Sequence, residues 1–289
     1  MKITEIFKKY DKTFSFEFYP PKDEISAVDF GINVGQLMKL SPSFVTVTYG
    51  AGGSSQERTF AIVDYLQNKI KLTCVAHYTC INASKEKVFN DLKFLQGTGI
   101  KNLMLLRGDL PKGQEVKTQV QNDFKYASDL IAFVKENFDF CTAGACYVEK
   151  HPEAVSLEAD IKNLKKKVDA GAEFLITQLF FENQNYYDFV YKCRKEGINA
   201  RIIPGIIPIT NYKQIERFTR MSGAKIPVSL SNQLEKYKDD TVASYNLGIE
   251  YSISQCLDLL KNDAPGLHFY TLNKSRATIK IYESIINKG

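Results

Sequence analysis

The chain has 289 residues, of which 44% are hydrophobic and 25% charged, and its formal net charge is +5. These values are ordinary for a globular protein, and the mild charge disfavours nucleic acid as a partner while leaving anionic small molecules open. No secretory signal, membrane-length apolar stretch or CxxC pair is present, so the sequence predicts a cytoplasmic protein whose six cysteines are reduced and buried.

Eight apolar stretches follow one another, and each precedes a helical pattern. The predicted strands cover residues 14–19, 44–50, 71–77, 101–109, 140–147, 174–181, 200–206 and 266–273, with an extra helix at about 239–261. This alternation indicates a mostly parallel sheet, and eight units in one chain of 289 residues predict an α/β fold, a (β/α)8 TIM barrel, with residues 1–289 forming a single domain. An open doubly wound sheet is the alternative, but it would favour GxGxxG where this first strand ends in Pro20-Pro21.

Polar residues stand at the predicted carboxyl ends of the strands, which is where barrels of this class carry their functional residues. The candidates at these ends are Glu17, Thr48, Tyr49, His77, Arg107, Gly108, Asp109, Tyr147, Gln178, Asn273 and Lys274. The pattern therefore predicts a ligand site at the mouth of the barrel.

The first predicted strand carries a carboxylate near its end. Phe14, Phe16 and Phe18 share one face and suit the helix layer, so Glu17 is expected to point into the barrel. A buried carboxylate is costly unless it is paired or functional. Spacing alone leaves two interpretations of Glu17 open, a ligand contact or a structural ion pair with Arg107.

Three other features each allow a structural and a functional interpretation. The loop TYGAGGSSQERT could cradle phosphate or simply connect a strand to a helix. In the helix SLEADIKNLKKKV, Asp160, Asn163 and Lys167, with Lys166 nearby, form either a solvated face or a strip for ribose and phosphate, with help from His151. His77 could be a core residue or a ligand contact, and the three histidines are too scattered to predict a metal site.

Eight stretches, taken in order, resemble the methylenetetrahydrofolate reductase family in its short, single-domain bacterial-type form. They are FSFEFYPPK, FVTVTYGAGGSSQERT, HYTC, LLRGDLP, YVEKHPEA, ADIKNLKKKVDAGAEFLITQLFF, IIPGIIPITNYKQIERF and HFYTLN, from about residue 14 to residue 274. The resemblance implies a (β/α)8 barrel with FAD at the C-terminal mouth, a homo-oligomer, and no regulatory domain of the long eukaryotic kind.

The same resemblance implies a ping-pong reaction. NADH or NADPH reduces FAD and leaves, and 5,10-methylenetetrahydrofolate then takes its place and becomes 5-methyltetrahydrofolate, which supplies methyl groups for methionine synthesis. Release of the folate nitrogen requires a general acid. Glu17 matches the family's catalytic Glu, and its apolar strand is expected to raise its pKa. Asp109 matches the Asp of the RGDLP motif, where a carboxylate could stabilise a cationic iminium.

Binding residues are also carried over by resemblance. The substrate-side positions are Gln178, Gln214, Phe218 and Lys274, and Thr48 is a nicotinamide-side contact. The FAD positions are Tyr49, Ala51, His77, Arg107, Gly108, Asp109, Ala127, Tyr147, His151, Ala154, Asp160, Asn163, Lys166 and Lys167.

The chain departs from the family pattern at three places. Lys274 stands where family members often have Arg, PKGQEVKTQVQND replaces a Gly-Pro-rich loop, and IPVSLSNQLEKY matches no assigned positions. The sequence does not separate NADH from NADPH. Two other functions are weighed, a proline dehydrogenase-like flavin barrel and a non-catalytic flavin- or folate-binding barrel.

Overall fold

The computed structural model describes residues 1–49, 56–108 and 123–287. All strand pairs are parallel, in the order β7-β6-β5-β4-β3-β2-β1-β9-β8. The strands are β1 (Thr13–Phe18), β2 (Phe44–Val47), β3 (Cys74–Thr79), β4 (Asn102–Leu106), β5 (Cys141–Cys146), β6 (Phe174–Thr177), β7 (Arg201–Ile203), β8 (Gly205–Ile206) and β9 (Gly266–Tyr270).

The helices mostly alternate with these strands along the chain. They are α1 (Ile3–Lys9), α2 (Glu24–Met38), α3 (Gln56–Asp64) with a π-helical continuation (Tyr65–Lys69), α4 (Lys85–Gly97), α5 (Ala127–Asn137), α6 (Leu157–Asp169), α7 (Asn183–Lys195), α8 (Tyr212–Ser222), α9 (Val228–Lys236), α10 (Thr241–Lys261) and α11 (Ser275–Ile286). None of the helices in the described ranges is both long and apolar enough to span a bilayer.

The barrel closes at the seventh predicted strand. This stretch is split at Pro204 into β7, which pairs with β6, and β8, which pairs with β9. Proline has no N–H and cannot continue a ladder, but its carbonyl accepts a hydrogen bond from the His268 N–H at 2.9 Å. The predicted TIM barrel is therefore confirmed, with one of its eight strands divided in two.

The parity predicted for β1 is also confirmed. Phe16 and Phe18 are fully buried in the large cluster between the sheet and the outer helices. A second cluster fills the lower barrel interior with side chains from α1 and six strands, among them Phe44, Phe174 and Ile203. Successive residues of a strand point to opposite faces, so Glu17 points into the barrel interior.

The N-terminal helix α1 was not predicted, and it plugs the lower end of the barrel. Ile3 is fully buried, and its N–H donates to Asn102 Oδ1 at 2.8 Å. The ring of Phe7 packs edge-on against Phe44 and Phe174. The lower interior is consequently apolar, and the polar residues are concentrated at the other end. All six cysteines are buried and unpaired, as predicted.

Candidate active site at the carboxyl ends of the strands

Three strands, β2, β3 and β9, place polar side chains around the carboxylate of Glu17 on β1. Its Oε2 atom lies 3.6 Å from His77 Nε2 and 3.5 Å from His268 Nε2. The Thr46 hydroxyl donates to the same oxygen at 3.3 Å. In the register of the sheet, Glu17 has Thr46 of β2 on one side and Tyr270 of β9 on the other. The side chain of Glu17 retains 20% exposure.

His268 is a site residue that the sequence analysis missed. It is fully buried inside the barrel, and its Nδ1 shares a hydrogen bond of 2.8 Å with the Ser15 hydroxyl. The Ser15 hydroxyl on β1 thus holds the ring of His268, whose Nε2 faces the Glu17 carboxylate at 3.5 Å. The alternation of the HFY stretch could have indicated an inward-facing polar residue, but His268 stands before the strand end, and the pattern of polar strand ends does not include it.

The surroundings of Glu17 act on its pKa in opposite directions. Burial raises this pKa, but His268, His77 and the Thr46 hydroxyl together favour the charged form, and the pKa lies below its usual value. The prediction of a raised Glu17 pKa is therefore wrong for the ligand-free protein. Burial lowers the pKa of His77 to about 4, so at neutral pH its ring is uncharged and acts on Glu17 as a dipole.

The buried His77 gives the ligand-free protein a measurable acid sensitivity. Its pKa falls from 6.5 to about 4 on folding, so between these values the unfolded chain binds a proton that the folded chain does not. Stability is therefore lost as the pH falls, and we expect this group to lower the free energy of unfolding by about 3 kcal/mol between pH 7 and pH 4. Urea titrations across that range should show a shallower pH dependence for His77→Gln.

The control for this prediction is Gln96→Ala at an exposed position of α4, which removes no titratable group and should keep the wild-type slope. Glu17 acts in the same direction, but only below its usual pKa of 4.5. A His77→Gln variant with the wild-type slope at pH 5–6 would contradict the assigned burial effect.

A second group of predicted residues lies at the ends of β4 and β5. The Arg107 guanidinium forms two hydrogen bonds to Glu153, at 2.7 and 2.8 Å. The Glu153 N–H donates to His151 Nδ1 at 3.1 Å, and the His151 ring packs edge-on against Tyr147. Gly108, at φ +88°, has Ile81 and Thr79 where a Cβ would stand.

The four residues of the strip predicted on α6 lie in two different environments. They are Asp160, Asn163, Lys166 and Lys167. The Asp160 carboxylate accepts a hydrogen bond from the His151 N–H at 2.7 Å and so fixes the loop after β5. Lys167 donates to the Ala145 carbonyl at 2.9 Å, and burial lowers its pKa. Lys166 and Asn163 are exposed and hydrogen-bonded to each other at 3.1 Å. The strip thus has two inward members and two solvent-facing ones.

The remaining cofactor candidates have separate contacts. The Tyr49 hydroxyl donates to Gln56 at 2.8 Å, and its ring packs against Tyr78. Ala154 accepts a hydrogen bond from Lys150 at 2.8 Å, and the buried Ala127 begins α5. Ala51 and Asp109 lie outside the described residues.

The substrate-side candidates are only partly brought together. The Gln178 side chain accepts a hydrogen bond from the Leu179 N–H at 2.9 Å, and with Tyr147 it lines a small cavity at the mouth. Phe218 packs on the cluster that contains Leu179, and Gln214 is engaged by Thr210 in the first turn of α8.

Lys274 stands apart from the other substrate-side candidates. It is exposed at the beginning of α11. The neighbouring Asn273 clamps the Tyr19 backbone with hydrogen bonds of 3.0 and 2.7 Å, and thereby ties the ends of β9 and β1 together.

The donor set at the mouth fits the FAD implied by the sequence. Within the described part of the chain, the buried atoms Thr48 Oγ1 and His77 Nε2 have no hydrogen-bond partner. Thr48 directly follows β2, and His77 lies within β3. Arg107 and Lys167 are cationic side chains of the kind that bind diphosphates. The Glu153 side chain is 63% exposed, so opening its pair with Arg107 costs at most about 1 kcal/mol.

A larger cavity of about 530 Å³ lies at the opposite, amino-terminal end of the strands. It is lined by tyrosines of α7 together with Arg194 and Arg201. Arg194 donates to the Ala200 carbonyl at 3.0 Å, and Arg201 to the Asp11 carbonyl at 2.8 Å. Both arginines are thus engaged in holding the backbone, and the chemistry-bearing residues lie at the other end. The described residues contain no cluster of His, Cys, Asp or Glu suited to a metal ion.

A closed parallel barrel with a carboxylate in its polar mouth defines a (β/α)8-barrel protein built to hold a ligand at the carboxyl ends of its strands. The family model described as methylenetetrahydrofolate reductase matches residues 2–286. The chain is 36% identical over 271 residues to 5,10-methylenetetrahydrofolate reductase of Escherichia coli, covering 94% of this chain and 90% of that protein. The chain therefore belongs to the methylenetetrahydrofolate reductase family.

Two other relatives place this result in context. The chain is 37% identical to methylenetetrahydrofolate reductase (NADH) 1 of Arabidopsis thaliana, and it spans about half of that protein, 49% of its length. A solved structure from Clostridium thermocellum, described as an uncharacterized protein that binds two copies of 5-methyl-5,6,7,8-tetrahydrofolic acid, has a TM-score of 0.66 at 15% identity. The alignment covers 99% of this chain and 98% of that one, and shows the shared fold.

Proposed function

We propose that this chain reduces 5,10-methylenetetrahydrofolate to 5-methyltetrahydrofolate as an FAD-dependent enzyme that draws its electrons from NADH or NADPH in a ping-pong reaction. The observation that carries the proposal is the Glu17 carboxylate, held 3.5–3.6 Å from two imidazoles in the barrel mouth of a family member. Folate as the ligand class is supported by the E. coli relative and by the folate-binding barrel of Clostridium thermocellum. The name of the Arabidopsis relative makes NADH the first co-substrate to test.

Glu17 is the proposed general acid. It lies inside the mouth and keeps 20% exposure toward solvent, so a ligand stacked over it would remove the remaining water. Loss of water disfavours the charged form, and Glu17 would take up a proton in the complex and hold it at Oε2. His268, held by its hydrogen bond to the Ser15 hydroxyl, lies 3.5 Å from the carboxylate and helps to fix its position.

The other residues bind and orient. Bound FAD would supply the hydride carrier between the two substrates. Arg107 and Lys167 would hold its diphosphate, and Asp160 would keep the loop after β5 in place through its bond to the His151 N–H. Gln178, whose amide can both donate and accept, suits the edge of a pterin. Asp109, assigned by resemblance, would be the second carboxylate of the site.

An anaerobic absorbance titration tests the proposal. We expect the purified protein, supplemented with FAD, to show a flavin band that NADH bleaches and that methylenetetrahydrofolate then restores. Bleaching without restoration would discard the folate substrate and favour another flavin barrel, such as a proline dehydrogenase-like enzyme. A protein that binds no FAD, or binds FAD that neither NADH nor NADPH bleaches, would overturn the proposal. The cytoplasmic location and homo-oligomeric state implied by the resemblance stay predictions.

A further inference from the structure

The outer face of α2 is apolar where a surface helix is normally polar. Phe30, Val34 and Leu37 form the buried face. Three large apolar side chains on the opposite face are exposed to 81% at Ile25, 64% at Val28 and 56% at Ile32. They recur at helical spacing and form one stripe along the helix. The folded chain gains nothing from this arrangement, because these side chains remain in water.

Two glycines complete the same face. Gly31 and Gly35 lie within the helix and are exposed, and a Cβ built on either one would meet nothing within 4 Å. Glycine weakens a helix interior relative to alanine, and among the described residues no contact requires its small size here. Small residues on a helix surface let a second backbone approach closely.

We propose that α2 of one copy packs antiparallel against α2 of a second copy across a twofold axis. In such a pair, each residue of one helix faces a fixed residue of the other. With the axis between Gly31 and Ile32, Ile32 faces Gly31 of the second copy, and Val28 faces its Gly35. Each of these large side chains then enters a hole left by a glycine.

The same register places opposite charges at both ends of the contact. Glu24 begins α2 and Lys39 follows its last residue, and both side chains are exposed. In the antiparallel pair Glu24 faces Lys39 of the second copy, and this happens twice because of the symmetry. A parallel pairing would oppose like charges, so the charges select the antiparallel arrangement. An interface built on one helix pair is small, below about 1,200 Å² in total, so we expect association at micromolar concentration.

Sedimentation equilibrium of the full chain tests this interface, independently of the proposed activity. We expect the wild type to form a dimer, or an assembly built from dimers. Ile32→Glu should raise the dissociation constant of the dimer about a hundredfold, because two like charges would meet near the axis. The control is Val242→Glu on α10, where Val242 is 68% exposed, and this variant should associate like the wild type.

Two further variants make the test specific. Gly35→Ala should weaken the dimer although it favours the helix, so its monomer should unfold no more easily than the wild type. Glu24→Lys and Lys39→Glu should each raise the dissociation constant about tenfold at low salt, and the double variant should restore it. A wild type that is monomeric at micromolar concentration would overturn the proposal, as would an Ile32→Glu variant that associates like the wild type.

Discussion

A Glu17→Gln variant is expected to bind FAD and accept electrons from the nicotinamide co-substrate at near wild-type rates, while its reaction with methylenetetrahydrofolate slows by about 10² to 10⁴-fold. Glutamine preserves the shape of the side chain and its place beside Thr46, His77 and His268. It cannot release a proton as a carboxylic acid does, so only the half-reaction that needs the acid should suffer. Stopped-flow measurement of the two half-reactions separates these outcomes.

Thr46→Val is the matched control for this prediction. It removes the hydroxyl that donates to Glu17 Oε2 at 3.3 Å and leaves the acid in place, so we expect a loss of only a fewfold. Near-normal folate turnover in Glu17→Gln would show that another group is the acid. Equal losses in both half-reactions would assign Glu17 to cofactor binding or to structure.

The lowered pKa of Glu17 adds a second readout to the same variant. The ligand-free carboxyl is ionised at neutral pH, so the proposed acid must acquire its proton when the folate binds. We expect proton uptake, measured with an indicator dye in weak buffer, when folate binds to the wild type. Glu17→Gln should bind the folate without that uptake.

The barrel was predictable because its signals are local. Alternating residues set the two faces of β1, and strands followed by helices set the parallel sheet. The partners of Glu17 were not predictable in the same way. His77 and His268 come from β3 and β9, and only closure of the barrel brings them to 3.5–3.6 Å from one carboxylate. No local pattern records a contact between strands so distant in sequence.

Other differences have similarly physical causes. The sixth predicted strand continued to residue 181, but β6 ends at Thr177, because Leu179 and Phe181 turn out of the sheet and pack in a cluster with Ile215 of α8 and Leu230 of α9. Helix α9 was missed because its short stretch carries no capping residue and has Pro227 at its N-cap. A run of apolar residues therefore predicts burial. The end of the strand depends on whether those residues pack within the barrel sheet or against other helices.

A Gly205→Ala variant is expected to lose about 3 kcal/mol of unfolding free energy, the upper range for overpacking a core. A Cβ on Gly205 would lie 2.3 Å from the Thr177 carbonyl oxygen and 2.7 Å from the Tyr270 ring. That carbonyl accepts a hydrogen bond from the Tyr270 hydroxyl at 2.6 Å, so neither neighbour can move without breaking a contact across the barrel. A chain of this size should melt roughly 6–10 °C lower in a thermal scan.

The added Cβ should also displace Gln178 in the candidate site, because Gln178 directly follows Thr177 at the end of β6. We therefore expect the residual folded enzyme to show a raised KM for folate and an unchanged KM for NADH. The control is Gly97→Ala, at the last residue of α4, where a Cβ would meet nothing within 4 Å. If Gly205→Ala and Gly97→Ala have the same melting temperature, then the close approach of β8 to β6 and Tyr270 is not the reason for glycine at position 205. If Gly205→Ala has a lower melting temperature than Gly97→Ala but keeps the wild-type KM for folate, then the position of Gln178 does not depend on that close approach.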